Sequence, residues 1–486
     1  MDRLSGLDAS FLYFETPAHL MHVCGLLVLD TSTMPGEYRF DRLRETLRGR
    51  LQANPAFRRK LHDPFLNVDH PVWVHDEDFD IEHHVRRIAV AAPGGPHELA
   101  DLCGDIAGQP LDRGRPLWEF WVIEGLADGG VAVMTKMHHA TVDGVSGASL
   151  VSELCSIEPS APPMVSAEHG PPPRRPRDRE IVIDGLLGIA KRPIKLARVL
   201  PDTIGVLPAW VQRSRRGTAM PAPFTAPRTS FNGTVTGHRS VAFMRLSLAD
   251  VKEVKNTFGT TVNDVVLALC AGALRKYLDD RGELPDSSLV AMVPVSVHGK
   301  SKRGGTNKVS GMFSTLRSDI ADPAERLAAI ADQNLVAKEH HQTLSATLLQ
   351  DWAQFAAPNT FGLAVRVYSK LRLAERHPVV HNLVVSNVPG PPMPIYFLGA
   401  RVVGFYPFGP VFHGAGLNIT VLSNDGHLDI GIIACRELAP ELWTLADDMA
   451  IALDELLSAA RAQNSAQQRA PKSDRKPKRT QPAAQA

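Results

Sequence analysis

Val131-Ala-Val-Met-Thr-Lys-Met-His-His-Ala-Thr-Val-Asp-Gly-Val-Ser-Gly147 is the stretch that decides how this chain is read. Val131, Val133, Thr135 and Met137 alternate with Ala132, Met134 and Lys136, so residues 131–138 read as a β-strand. Gly144 and Gly147 break the alternation, and Ala148 to Leu154 is helical in character, giving strand, tight turn, helix. The turn carries His138, His139 and Asp143. Strand neighbours point to opposite faces, so one of the two histidines faces a given cavity. A neutral imidazole is the usual side chain for taking a proton near pH 7. Asp143 can orient an imidazole or lock the turn, and Gly144 permits a positive φ at the bend. Two other readings stay open: paired histidines at a strand end can be structural, or part of a metal site. The metal reading is the weaker, because no third ligand is close in sequence and neighbouring histidines diverge.

The chain has 486 residues, which suggests two domains of about 200 residues each. Hydrophobic content is 44% and charged content 22%, enough for sizeable cores. The net charge of +1 gives no electrostatic reason to expect a nucleic-acid partner. Five cysteines are scattered without paired spacing, which argues against a disulfide framework or zinc ribbon and fits a reducing, cytoplasmic setting. No basic-then-apolar leader is visible. No apolar run approaches the ~20 residues of a spanning helix, so any membrane contact is expected to be peripheral.

Outward from the histidine turn, Trp118, Phe120 and Val122 alternate with Glu119, Trp121 and Ile123 in a strand that pairs with 131–138 through a turn at Leu126-Ala-Asp-Gly-Gly130. Pro116-Leu117-Trp118 opens that strand and is readable as core packing. Upstream, Ser5 or Asp8 caps a short turn, Met21–Leu29 is a buried strand whose His22 is read as structural, and Phe40–Gln52 is an amphipathic helix. Residues 156–180 are proline-rich and read as a linker. Beyond it, Ile183, Leu187, Ala190 and Ile194 form one face, and Lys191, Arg192, Lys195 and Arg198 another. Such a helix can lie on an anionic membrane or pack on the protein.

In the second half, Arg239–Leu246 is a strand, and Thr261 or Asn263 caps a helix that is apolar almost all round from Val265 to Leu274. Asn263-Asp264 can be explained by capping alone. Leu289–Val297 is a buried strand, Ser318–Lys338 is largely helical, and His340 and His341 after it read as solvated. His381 to Pro392 runs as a strand into a rigid turn containing Asn387, Pro389 and Gly390. Asn424-Asp-Gly426 closes a hairpin, Glu441–Arg461 is a closing helix, and the tail from Gln463 to Ala486 is expected to be disordered. The expected division is therefore 1–158, a linker region 159–225, 226–462, and the tail 463–486.

Four motifs stand in one order: Pro116-Leu-Trp118, His138-His-Ala-Thr-Val-Asp-Gly144, Asn263-Asp264 and Ser386-Asn-Val-Pro-Gly-Pro391. Together they resemble the bacterial wax ester synthase/diacylglycerol acyltransferase family, within the chloramphenicol-acetyltransferase-like superfamily, over Leu4 to Arg461. The resemblance implies an α/β fold with mixed sheets (α+β in style), in two domains with the active site at their interface. It implies transfer of a long acyl chain from acyl-CoA, as co-substrate, to diacylglycerol or a fatty alcohol, with no other cofactor and no metal. It implies His139 as general base, His138 as its geometric support, and Asp143 pointing away to hold the turn by a salt bridge. Asn263, Asp264, Pro116, Leu117, Trp118, Asn387, Pro389 and Gly390 would shape the site or the domain interface. The setting implied is cytoplasmic, peripheral to the inner face of the membrane or to lipid droplets. Two rivals remain: a same-fold acyltransferase for another lipid or polyketide alcohol, and a catalytically silent lipid-binding protein.

Overall fold

The computed structural model describes residues 2–52, 54–63, 67, 69–141, 154–160, 177–190, 210, 212–214, 216, 219–296, 309–343 and 358–469. Two large mixed sheets organise them. The first has seven strands in the order Val85–Ala89, Trp118–Glu124, Val131–His138, His22–Asp30, Ala400–Phe408, Tyr396–Phe397 and Cys155–Ser156. Its first pair is parallel and its other pairs are antiparallel. The second has six, in the order Val309–Thr315, Val290–Ser296, Leu383–Val388, Leu417–Asn424, His427–Cys435 and Arg239–Ser247. Its two central pairings, of Leu383–Val388 with its neighbours, are parallel. A small sheet of Asp2–Arg3, Val72–His75 and Arg59–His62 lies apart.

The division expected at the linker does not follow the sheets. Two strands from the second half, 396–397 and 400–408, complete the first sheet, and the long one pairs along almost the whole of His22–Asp30. Cys155–Ser156, expected in or beside the linker, instead forms the sheet's far edge against Tyr396–Phe397. Strand alternation encodes which face is buried but not which distant strand is the partner, so this exchange left no local signal.

Both sheets bury apolar layers. Helices Val262–Asp279 and Leu442–Arg469 pack together in the core of the second sheet. Helix Phe40–Gln52 covers one face of the first sheet through Leu43, Leu47 and Leu51. Helix Pro96–Ala107 covers the other, and the same core takes in Val241, Ile433 and Cys435 from the second sheet. The sheets are riveted at Asp429. This buried carboxylate accepts from Arg245 at 2.6 and 2.9 Å, from Asn424 Nδ2 at 2.9 Å and from the Phe405 backbone N–H at 2.8 Å. It therefore ties the strand 400–408 that crosses between halves to the hairpin of the second sheet.

Three local expectations change in detail. The closing helix runs on to Arg469, past the expected start of the tail at 463. The helix after the linker begins at Asp178 and docks through buried Ile181 beside Val72 and Val74, while residues 191–200, with Lys191, Arg192, Lys195 and Arg198, lie outside the described residues. His340 and His341 fall inside helix Pro323–Thr343 rather than after it.

Candidate active site

His138 ends its strand directly opposite His22 on the neighbouring strand. The turn beyond is built from the backbone. The His138 N–H donates to Leu117 O at 3.0 Å and the His139 N–H to Met21 O at 2.8 Å. The Thr141 hydroxyl closes back on His138 O at 2.6 Å. The two imidazoles then part, as strand geometry requires. His138 is buried, whereas His139 is partly exposed. The His139 ring stacks on Phe11 with centroids 4.1 Å apart and planes 14° from parallel. Asp143 and Gly144 lie outside the described residues.

The Ala140 N–H donates to His138 Nδ1 at 3.0 Å, so Nδ1 is the acceptor and Nε2 carries the proton. That Nε2 faces Glu15 at 3.6 Å, and His22 Nε2 lies 3.3 Å from the other carboxylate oxygen. Arg113 closes the cluster with a 2.7 Å ion pair to Glu15. Burial works to raise the Glu15 pKa, but the pull of the neighbouring His138 and His22 rings outweighs it and holds the carboxyl well below the usual carboxylate range. Burial pushes His22 down to about 4, against the pull of Glu15, so its ring is neutral near pH 7. His22, read from the sequence as structural, stands beside Glu15, which belongs to no sequence motif. Both belong to the support of the histidine turn.

The loop that carries Glu15 is where the halves meet. Helix Gly6–Phe14, N-capped by Ser5, presents Phe11 to His139 and Phe14 edge-on to Phe361 at 5.0 Å. His19 sits 4.9 Å from the ring of His413, and Arg239 donates to Ala18 O at 2.8 Å. Burial, with His413 and Arg239 beside it, holds His19 down to about 3; burial and Arg239 hold His413 down to about 4. A small cavity behind His22 is lined from both halves, by Leu20, His22 and Cys24 on one side and Arg239, Phe408 and Ile433 on the other.

The remaining motif residues divide by what they touch. Leu117 supplies the carbonyl that receives the His138 amide, and Trp118 is core, stacked on His84 at 4.3 Å with its indole N–H on Phe57 O at 2.8 Å. Pro116 turns the chain into that strand, its carbonyl accepting from Trp118 N–H at 2.9 Å. Asp264 completes a capping box with Thr261 and also accepts from Asn334 Nδ2 at 2.8 Å, while Asn334 accepts from Ser314 at 2.7 Å. These partners all belong to the second half, so Asp264 locks helix Val262–Asp279 to helix Pro323–Thr343 rather than reaching the histidine turn. Asn263 is partly buried in that first helical turn. Asn387, one residue before the end of its strand, lies opposite Val421, and Pro389 is exposed in the turn that follows. Gly390 is held there by Ser423, and a Cβ at this position would stand 2.1 Å from Ser423 O, closer than any side chain allows. Val388 and Leu422, on either side of that turn, are buried in the first half's core.

The arrangement presents one accessible imidazole at the junction of two halves, next to a buried histidine fixed by the Ala140 N–H and faced by a buried carboxylate. It suits proton transfer to and from an oxygen or sulfur brought between the halves. The chain matches the wax ester synthase/diacylglycerol acyltransferase catalytic domain over residues 4–266 and the corresponding C-terminal domain over 305–457. A putative diacylglycerol O-acyltransferase of Mycobacterium tuberculosis, Rv1760, is 51% identical over 462 residues, covering 94% of this chain and 90% of that protein. Another from the same species, the probable diacylglycerol O-acyltransferase tgs2, is 36% identical and covers 94% of this chain and 99% of its own length. The wax ester synthase/diacylglycerol acyltransferase of Marinobacter aquaeolei superposes with a TM-score of 0.68 at 30% identity, over 95% of this chain and 100% of that one. The first condensation domain of the calcium-dependent antibiotic synthetase shares the two-lobed fold at a TM-score of 0.55 and 14% identity, over 94% and 96% of the two chains. With both parts of its length matched in order, the chain belongs to the wax ester synthase/diacylglycerol acyltransferase family.

Proposed function

We propose that this protein is an O-acyltransferase that moves a long-chain acyl group from acyl-CoA to diacylglycerol, and to long-chain alcohols, with His139 as the general base. Family membership supports the reaction class. The observation that carries the residue assignment is the parting of the two histidines: His139 is accessible and braced by Phe11, while His138 is buried and engaged by Glu15.

In this reading the His139 imidazole takes the proton of the acceptor hydroxyl as its oxygen attacks the thioester carbonyl. The carbon–sulfur bond then breaks, the ester is released, and protonated His139 returns its proton to the CoA thiolate. No covalent enzyme intermediate and no cofactor beyond the acyl-CoA co-substrate is required. His138 orients the turn, with its Nε2 proton directed at Glu15. A neutral, two-chained acceptor asks for an apolar cavity between lobes rather than a phosphate cradle. Both substrates partition into lipid, and we place the enzyme on the inner face of the membrane or on lipid droplets. No single helix among the described residues is long and apolar enough to cross a membrane. One bent pair, Leu248–Phe258 with Val262–Asp279, passes by length and composition, but its second helix is a core helix.

The test is His139→Ala assayed with labelled palmitoyl-CoA against diacylglycerol and hexadecanol. Transfer should fall by about a hundredfold or more while the melting curve is retained. Near-wild-type turnover in the folded variant removes His139 from the mechanism.

A further inference from the structure

We infer that the outer face of helix Pro358–Lys370 is the surface by which this protein sits on an anionic phospholipid bilayer. Leu363, Val367 and Leu371 are 60%, 44% and 48% exposed. Leu363 and Val367 lie on the helix and Leu371 directly follows it, its N–H still donating to Val367 O at 2.9 Å, so the three recur every four residues as one stripe. Single exposed apolar side chains are ordinary on a protein surface, but three aligned along one helix and its C-terminal turn are not. The opposite side of the helix is already occupied. Phe361 meets Phe14, and Tyr368 lies 6.1 Å from the ring of His413 and hydrogen-bonds to His377.

The charge around the stripe selects the occupant. Arg366 and Lys370 flank it, and Arg372 follows, paired with Glu375. No acidic residue occurs from Pro358 to Ala374. Burial against an apolar protein face would strand these cations, whereas at a bilayer their stems lie along the apolar layer and their heads meet anionic headgroups. Helix Gly6–Phe14, against which Phe361 packs, also braces His139, so a bilayer bound here would lie beside the junction through which a lipid acceptor reaches the base. This last point rests on the proposed acyl transfer; the binding surface itself does not.

The experiment is sedimentation of the full chain with phosphatidylglycerol-containing and pure phosphatidylcholine vesicles, alongside analytical ultracentrifugation without lipid. The triple variant Leu363→Gln, Val367→Gln, Leu371→Gln should raise the vesicle dissociation constant by roughly tenfold or more. Arg366→Gln with Lys370→Gln should weaken binding only to the anionic vesicles, and most at low salt. Both variants should melt like the wild type. They should still transfer a short acyl chain to a water-soluble alcohol, so failure of the acyltransferase reading shows up separately from failure of the surface. Unchanged pelleting of the triple variant overturns the inference. So does binding that is lost instead on replacing Lys191, Arg192, Lys195 and Arg198 with glutamine, or a self-associated form in solution that the triple variant abolishes without changing vesicle binding.

Discussion

Glu15 carries more of the site than any single motif residue except the histidines. Its carboxylate faces His22, His138 and Arg113 at once. Glu15→Gln keeps the shape and removes the charge, and should lower stability by about 1 kcal/mol, the upper end of the usual worth of an ion pair with a half-exposed partner such as Arg113. It should also reduce turnover more than substrate affinity, because the negative charge facing His138 Nε2 is removed while the cavity is kept. Urea unfolding and a kcat-against-KM comparison check both. The contribution of Glu15 follows a definite sign. Its folded pKa lies below the ordinary carboxylate value, so its stabilisation is present above about pH 4 and is lost as the pH falls further. The buried histidines act at higher pH. His19 and His22 are held down to about 3 and 4, so the unfolded chain binds their protons first as pH drops below about 6.5. Stability should therefore fall from pH 7 to pH 5, by up to about 2 kcal/mol for each such histidine. His19→Gln should flatten that dependence in paired unfolding curves at the two pH values.

Elements explain why a motif can matter without touching a substrate. Helix Val262–Asp279 starts at a capping box and is held to its neighbour by the Asp264–Asn334–Ser314 chain. Asp264→Ala removes the carboxylate half of the capping box, leaving the Thr261 cap on the backbone, and leaves Asn334 Nδ2 buried without its acceptor. The expected loss is about 2 kcal/mol, seen as a lower melting temperature, with KM for acyl-CoA and for acceptor unchanged in the protein that remains folded. A specific rise in either KM would return Asp264 to the site. Pro116-Leu117-Trp118 works in the same indirect way, through two backbone carbonyls and a buried indole.

At the scale of the whole molecule, the crossing strand decides how the halves depend on each other. Residues 1–165 alone lack Tyr396–Phe397 and Ala400–Phe408, so His22–Asp30 would expose its ladder where a partner strand belongs. Expressed separately, 1–165 and 175–486 should each be inactive and the first should aggregate. Co-expression should restore acyl transfer, because pairing and the Asp429 cluster, rather than the linker, hold the junction. Robust transfer by residues 1–165 alone would contradict an active site built between the halves.

Local patterning determined much of this protein. Alternation at 131–138, the stripe of Leu43, Leu47 and Leu51, the Thr261 cap and the Asn424-Asp-Gly426 hairpin were legible because each depends on residues within one turn or one pleat of each other. The His-His turn was legible for the same reason, and strand geometry already required its two rings to part. What only the tertiary structure decided was long-range: that 400–408 pairs with 22–30, that His22 lies opposite His138, and that Glu15 joins them with Arg113. A lone carboxylate in a loop has no period, and a strand's alternation names its buried face without naming its neighbour. Those contacts exist because burial of two sheets against each other brings chain segments hundreds of residues apart to one junction.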